Sequence, residues 1–281
     1  MRGPALSLVP PAVADYLSQE EEEWLGKVAE RFGGRFPNLQ EMWMLMDEVW
    51  EQEGFDPAVM DERIGAFYDH PVWLLTGLFI EQDTDSMKNR ARFADWVARQ
   101  KPARVADYGG GYGTLARMIG VACPRAEVEV IEPHPHPAAI ARAGEAANVR
   151  YAEELSGEYD VLIATDVFEH VPDPIALMQE TAGFLAPDGH YLTANCYRPV
   201  IRCHLPQSLH FFYSWSRVVR ALGLRQVETV AYGQVFTRGG AADEAKARSI
   251  ERLSRRWSPW LERLPRRGRA RLGRLLYRLI P

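Results

Sequence analysis

From Asn38 onward the apolar residues Trp43, Met46 and Trp50 return every three or four positions until Gly54, the spacing of one helical face. Asn38 with Glu41 three residues later is a capping-box pattern, so this helix has a start as well as a stripe. A second start is read at Asp56-Pro57, an N-cap with proline in the first turn. That helix should close near Tyr68, because His70 precedes Pro71 and is biased away from helical angles. A further helix is predicted over Ser86–Gln100, with Phe93, Trp96 and Val97 facing inward. The apolar run Pro71–Ile80 falls far short of the roughly 20 residues of a spanning helix and is read as buried core. The first hundred residues thus predict a helical unit whose Trp and Met stripes are packing surfaces.

After Pro102 the period changes. Short apolar strands at Arg104–Tyr108, Glu127–Ile131, Val149–Tyr151, Asp160–Thr165 and His190–Ala194 alternate with helical stretches from Thr114, over Ala138–Ala147 and from Pro174. Such alternation implies a parallel sheet covered by helices on both faces. A helix around Ser214–Leu222 and two closing strands, Gln226–Ala231 and Gln234–Thr237, bring the strands to seven, and Gly239-Gly240 reads as a linker. The expected fold class is α/β, a doubly wound, mostly parallel seven-stranded sheet. Residues 1–100 would form a helical N-terminal cap, 101–240 the core and 241–281 a basic, amphipathic helical tail.

Charge sharpens this division. The net charge of −5 conceals nine basic against nineteen acidic residues over 1–100, twelve against fifteen over 101–240, and twelve against four over 241–281. In the tail, Leu272, Leu275, Leu276, Leu279 and Ile280 make a helical stripe among Arg269, Arg271, Arg274 and Arg278. Such a helix suits an anionic membrane surface, or the acidic N-terminal region that its charge complements, and the internal contact is preferred. Overall acidity and the lack of a recognisable nucleic-acid module argue against nucleic acid as a partner. Cys123, Cys196 and Cys203 are too few and too scattered for a disulfide framework or a Cys-based zinc site. Met1–Ala14 has no basic segment leading an apolar one, so no signal peptide is read. A cytoplasmic protein is expected, with peripheral membrane contact through the tail as its variant.

The strongest chemical signal is a strand that enters Asp107-Tyr108-Gly109-Gly110-Gly111-Tyr112-Gly113 and leaves as a helix. There the backbone can approach a ligand closely at a helix N-terminus. Gly111, Gly113 and Ala116 satisfy the dinucleotide fingerprint, and Glu132 lies at the distance of a ribose-binding acid. An NAD(P)-dependent oxidoreductase is therefore one reading. Asp107 opposes it, because a carboxylate where a diphosphate would rest costs on the order of 1 to 4 kcal/mol of repulsion. The same carboxylate attracts the ammonium and sulfonium of S-adenosylmethionine. A third reading, a non-catalytic relative, is disfavoured by the intact Asp107, glycine turn and Glu132.

Asp107-x-Gly109-x-Gly111-x-Gly113 resembles the first motif of class I, Rossmann-like S-adenosylmethionine-dependent methyltransferases. The stretch Tyr159 to Pro174 is similar to that family's fourth-strand motif, and Leu185-Ala186-Pro187-Asp188-Gly189 to the turn before its fifth strand. The resemblance covers about residues 102–238. It implies that Asp107, Gly109, Gly110, Gly111, Tyr112 and Gly113 line the methionine end of the cofactor. Glu132 would take the ribose hydroxyls with Pro133 beside the adenine, Glu153 or Glu154 would reach the adenine amino group, and Asp166 and Val167 would line the pocket. The implied reaction is methyl transfer, more to oxygen than to nitrogen, onto a small or saccharide-type acceptor.

His170, just after the fourth strand, leads the candidates for general base, with a structural histidine as the alternative. Asp166-x-x-Glu169-His170 with a later His210 also resembles the acid-x-x-Glu-His plus distant His of small-RNA 3′-end and ubiquinone-pathway O-methyltransferases. That likeness implies a divalent cation gathering the acceptor hydroxyls. Asp166 stands where the longer Glu is usual, so the metal-free reading is preferred. Tyr68, His70 and Trp73 are read either as an acceptor wall or as a turn packing aromatics into the cap, the second preferred. His134 and His136, flanked by prolines, are read as surface loop, His190 as strand edge, and His204 is left open.

Overall fold

A computed structural model describes residues 7–56 and 64–262. The strands β1 (Arg104–Tyr108), β2 (Glu127–Ile131), β3 (Val149–Ala152), β4 (Tyr159–Thr165), β5 (Leu185–Ala194), β6 (Leu224–Val230) and β7 (Gly233–Arg238) form one sheet. Their order is β3-β2-β1-β4-β5-β7-β6. β1 to β5 pair in parallel, and β7 joins β5 and β6 antiparallel. The chain runs outward from β1 in one direction and then returns to start β4 on its other side. The carboxyl ends of β1 and β4 therefore splay apart into the crevice where ligands bind in such sheets.

Both faces are covered. Val105, Val128, Val130, Val161 and Ile163 pack beneath α6 (Thr84–Gln100) and α7 (Thr114–Ala122), against Phe93, Trp96 and Val97. Ala106, Leu162, Ala164 and Tyr191 pack on the other face, against α9 (Pro174–Ala182) and α10 (Phe211–Ala221) through Ile175, Met178, Trp215 and Val218. A short helix α8 (Pro137–Ala143) follows β2, and α11 (Glu244–Glu262) lies on α10.

The N-terminal helices are α1 (Pro11–Ala14), α2 (Gln19–Arg31), α3 (Leu39–Gln52), α4 (Ile64–Asp69) and α5 (Pro71–Gln82). The Asn38 capping box is formed, Asn38 Oδ1 accepting from the Glu41 N–H and the Glu41 carboxylate from the Asn38 N–H. The start read at Asp56-Pro57 falls partly on 57–63, outside the described residues; its end is described, α4 closing at Asp69. The run Pro71–Ile80 is core, as read, and it is a helix, α5, capped by the His70 Nδ1 that accepts from the Val72 N–H at 3.1 Å.

Several boundaries differ from the sequence reading. α8 stops at Ala143 rather than Ala147, with Gly144 as its C-cap. β5 starts at Leu185, so the segment read as a turn pairs with Tyr159 and a bulge between Tyr159 and Val161 absorbs it. In the tail, α11 runs from Glu244 to Glu262, and the stripe from Leu272 to Ile280 lies outside the described residues. Among the described residues no helix is long and apolar enough to cross a membrane.

Candidate functional site

One cavity of about 1570 Å³ opens at the carboxyl ends of β1, β2, β3, β4 and β5, roofed by α3, α4 and α5. Its floor is the glycine turn after β1. Gly109 has φ +65°, and a Cβ there would lie 2.6 Å from Val167 Cγ2. At Gly110 a Cβ would lie 2.8 Å from Val130 Cγ1 and 2.9 Å from Asp107 Oδ2. Only glycine lets the backbone lie this flat on the strand ends. Gly113 is the left-handed N-cap of α7, which leaves the helix's first N–H groups near the turn.

Asp107 sits beneath this turn, not on the cavity wall as the sequence reading had it. Its side chain is 1% exposed, directly under Gly110, because residue 107 shares the face of Val105. Among the described residues neither carboxylate oxygen has a well-formed hydrogen bond; the Ala116 N–H is the backbone donor near it. Burial pushes its pKa up to about 7, opposed by the charge of Arg90. The cavity is nonetheless acidic. Eight carboxylate side chains and two arginines line it, with no lysine.

Glu132 follows β2. Its Oε2 accepts from the Gly111 N–H at 2.9 Å and its Oε1 from the His134 N–H at 3.2 Å, which leaves lone pairs on both oxygens for a ligand. Burial raises its pKa. Pro133, Tyr112, Val167 and both Glu153 and Glu154 line the same cavity, as do Gly109, Gly110 and Gly111. Asp166, after β4, holds φ +54°, unusual for a residue with a Cβ, and accepts from the Tyr232 hydroxyl at 2.8 Å.

His170 occupies the wall opposite Glu132. Its Nδ1 lies 3.1 Å from the Cys203 carbonyl, which can only accept, so Nδ1 carries the proton and Nε2 keeps its lone pair. Burial, then the neighbouring His204, holds its pKa down to about 3, so the ring is neutral at pH 7. His204 has the same arrangement, with Nδ1 2.6 Å from the Arg198 carbonyl and its ring 4.9 Å from that of His170. Glu169 is fully buried, accepts from the Cys196 N–H, and has no partner on Oε2 among the described residues. Burial and Asp166 raise its pKa well above the usual carboxylate range. Candidate ligand atoms of Glu169, His170 and His204 lie within 4.8 Å of one another.

His210 is not part of this group. It precedes α10, buried against Phe211 with ring centroids 4.2 Å apart, and Arg255 of α11 adjoins it. The imidazole that meets Glu169 and His170 is His204, brought there because the chain after β5 folds back over the turn Phe168–His170, where the Leu205 N–H bonds to the Glu169 carbonyl at 2.9 Å.

The helical roof reaches the cavity through Met42, Trp43, Met46, Tyr68, Trp73 and Phe79. Tyr68, His70 and Trp73 all line it, and His70 also caps α5. The loop histidines read as surface are instead ties between roof and core. His134 bonds Asp69 at 2.7 Å and stacks on Tyr68, while His136 bonds Glu21 at 2.9 Å and caps α8. A third tie is Glu81 of α5, which pairs with Arg117 of α7 and Arg142 of α8 and accepts from the Thr114 hydroxyl.

Residues 78–217 match the family model described as a methyltransferase domain. Residues of this chain are 31% identical over 117 residues to a ubiquinone biosynthesis O-methyltransferase from Ralstonia nicotianae, covering 37% of this chain and 49% of that protein. A protein of the same name from Acinetobacter baylyi is 31% identical over 103 residues, covering 31% of this chain and 41% of that protein. The chain spans about half the length of the curated relatives it matches. An O-methyltransferase family protein from Burkholderia thailandensis superposes with a TM-score of 0.50 at 14% identity, covering 84% of this chain and 77% of that one, a likeness of fold.

Proposed function

We propose that this chain, whose residues 78–217 match a methyltransferase-domain model, is a class I, Rossmann-like, S-adenosylmethionine-dependent methyltransferase that methylates a hydroxyl oxygen of a small-molecule acceptor. One observation carries the reading: a single cavity joins the glycine turn and Glu132 on one side to a neutral His170 and an apolar roof on the other. The acidic lining suits a cationic cofactor and repels a diphosphate, which argues against the nicotinamide reading even with Asp107 covered. The roof reaches the cavity mainly through large apolar and aromatic side chains, so an acceptor with a largely apolar body is favoured. Residues 1–100 act as the acceptor-enclosing cap and 101–240 as the cofactor-binding core.

The buried, unpaired Asp107 and the open glycine turn fit the cofactor's ammonium end, and Glu132 fits its ribose hydroxyls. Bound there, S-adenosylmethionine supplies an electrophilic methyl group that leaves behind a neutral thioether. Glu132 orients the nucleoside with its remaining lone pairs, and Pro133 with Glu153 or Glu154 borders the adenine. His170 Nε2 accepts a hydrogen bond from the acceptor hydroxyl and aligns its oxygen, since methyl transfer needs reacting atoms about 3 Å apart and in line. With a pKa near 3 it orients the hydroxyl and, as the O–H bond breaks and the O–C bond forms, hands the released proton on to water rather than storing it.

Titration calorimetry tests the cofactor. S-adenosylhomocysteine should bind and NADH and NADPH should not; the reverse would overturn the reading. The raised pKa of Asp107 gives this measurement a sign. Without ligand, Asp107 holds its proton up to about pH 7, so its burial costs least at low pH and stability falls as pH rises from the usual carboxylate range through 7. A ligand that sets its ammonium over Asp107, as S-adenosylhomocysteine would, lowers that pKa and should expel a proton on binding near pH 6. The binding enthalpy should then vary with the buffer's ionisation enthalpy, and Asp107→Asn should abolish the variation.

A second reading rests on the cluster of Glu169, His170 and His204. Those three side chains would hold a divalent cation, which would lower the pKa of an acceptor hydroxyl. The metal-free reading expects turnover to survive exhaustive chelation unchanged. Loss on chelation, restored by added metal and absent in His204→Ala, would favour the second.

A further inference from the structure

We propose that the flank of α11 carrying the exposed Trp257 and Trp260, with the half-buried Leu253 beside them, docks on an anionic membrane surface. The helix has one buried face, Ala247, Ile250, Ser254 and Leu261, turned toward α10, and the Ser254 hydroxyl donates to the His210 carbonyl at 2.9 Å. At 3.6 residues per turn, Leu253, Trp257 and Trp260 share the flank beside that face, and Arg252 and Arg256 stand on its outer edge. Trp257 and Trp260 are 39% and 45% exposed, edge to face at 6.2 Å, the most exposed tryptophans of the described residues. Large amphipathic rings left in water beside guanidinium groups are the composition of an interfacial helix, the rings entering the headgroup region and the arginines meeting lipid phosphates.

Charge complementarity selects the occupant. Residues 263–281, which follow α11 in the chain, contain seven arginines and no Asp or Glu, against a chain with net charge −5. The arginines on which the expected contact of the tail with the acidic N-terminal region rests lie outside the described residues. Arg248 pairs with Asp173, Glu244 and Glu251, and Arg255 with Glu251. Polybasic segments next to apolar anchors bind anionic leaflets, each arginine adding to the attraction, and lose it as salt rises.

The test is co-sedimentation of the full chain with vesicles of phosphatidylcholine alone and of equimolar phosphatidylcholine and phosphatidylglycerol, with tryptophan quenching by brominated lipid. Binding should require phosphatidylglycerol, weaken with salt and quench tryptophan emission. The Trp257→Ala/Trp260→Ala variant should partition at least about tenfold less and lose the quenching while keeping the wild-type melting temperature. Arg252→Gln/Arg256→Gln offers the same readout should the double tryptophan variant fold poorly. A wild-type protein that stays in the supernatant, equal partitioning of wild type and both variants, or retention on single-stranded RNA but not on vesicles would overturn the proposal.

Discussion

Replacing Glu132 by alanine should weaken S-adenosylhomocysteine binding by about 100-fold or more. The carboxylate makes two hydrogen bonds to backbone N–H groups and would offer its free lone pairs to the ribose. Hydrogen bonds to charged groups are worth about 1.5–3 kcal/mol each, and 1.4 kcal/mol is tenfold in affinity. The two backbone bonds also hold Gly111 and His134, so part of the loss would come from a disordered floor. Glu132→Gln removes the charge and keeps one side-chain acceptor, for either the Gly111 or the His134 N–H but not both, and should cost about tenfold. Calorimetry reads both variants, with thermal unfolding of the ligand-free proteins as the check on folding. If Glu132→Ala binds with wild-type affinity, the nucleoside does not sit at the end of β2, and the site as drawn here is wrong.

Glu81→Ala should lower the melting temperature by roughly 10 °C. Glu81 sits between two guanidiniums, and the Glu81, Arg117 and Arg142 side chains are 19%, 12% and 23% exposed. Removing one partner of a buried pair leaves charge uncompensated, which costs about 3–5 kcal/mol. In a protein of this size each kcal/mol moves the midpoint by about 2–4 °C. Some of that charge remains satisfied, because both arginines lie against the Tyr112 ring and bond to that residue. Since the pairs join α5 to α7 and α8, the variant should also raise KM for the acceptor while S-adenosylhomocysteine affinity stays close to wild type. A shift below about 2 °C would mean that water already screens the cluster.

How far the residues announced this arrangement depends on whether their signal is local. The strand at Arg104–Tyr108, the glycine turn and the Asn38 cap are local, and all could be read. The helix α5 is so uniformly apolar that it has no stripe, which hid its period but not its burial. The beginning of β5 carries Pro187-Asp188-Gly189, turn residues that the bulge accommodates. His204 went unpaired in the sequence reading, and His210 was preferred, because the fold-back after β5 is long-range and either histidine lies at a workable distance along the chain. His134 and His136 were misread for a related reason: their partners, Asp69 and Glu21, are in the roof, 65 and 115 residues away. Asp107 shows a different limit. Its position in the motif was legible, but the face of the strand it occupies, and the burial that raises its pKa, belong to the folded chain.

The hydroxyl that steadies Asp166 belongs to Tyr232, at the bend between β6 and β7, and β7 must slot between β5 and β6. The pocket is thus finished by nearly the last part of the sheet to leave the ribosome. A nascent chain that has emerged only through β5 already owns the glycine turn and Glu132, yet it lacks the partner of its left-handed aspartate. Competence for chemistry should therefore arrive late and abruptly during synthesis, when the hairpin docks, rather than growing with chain length.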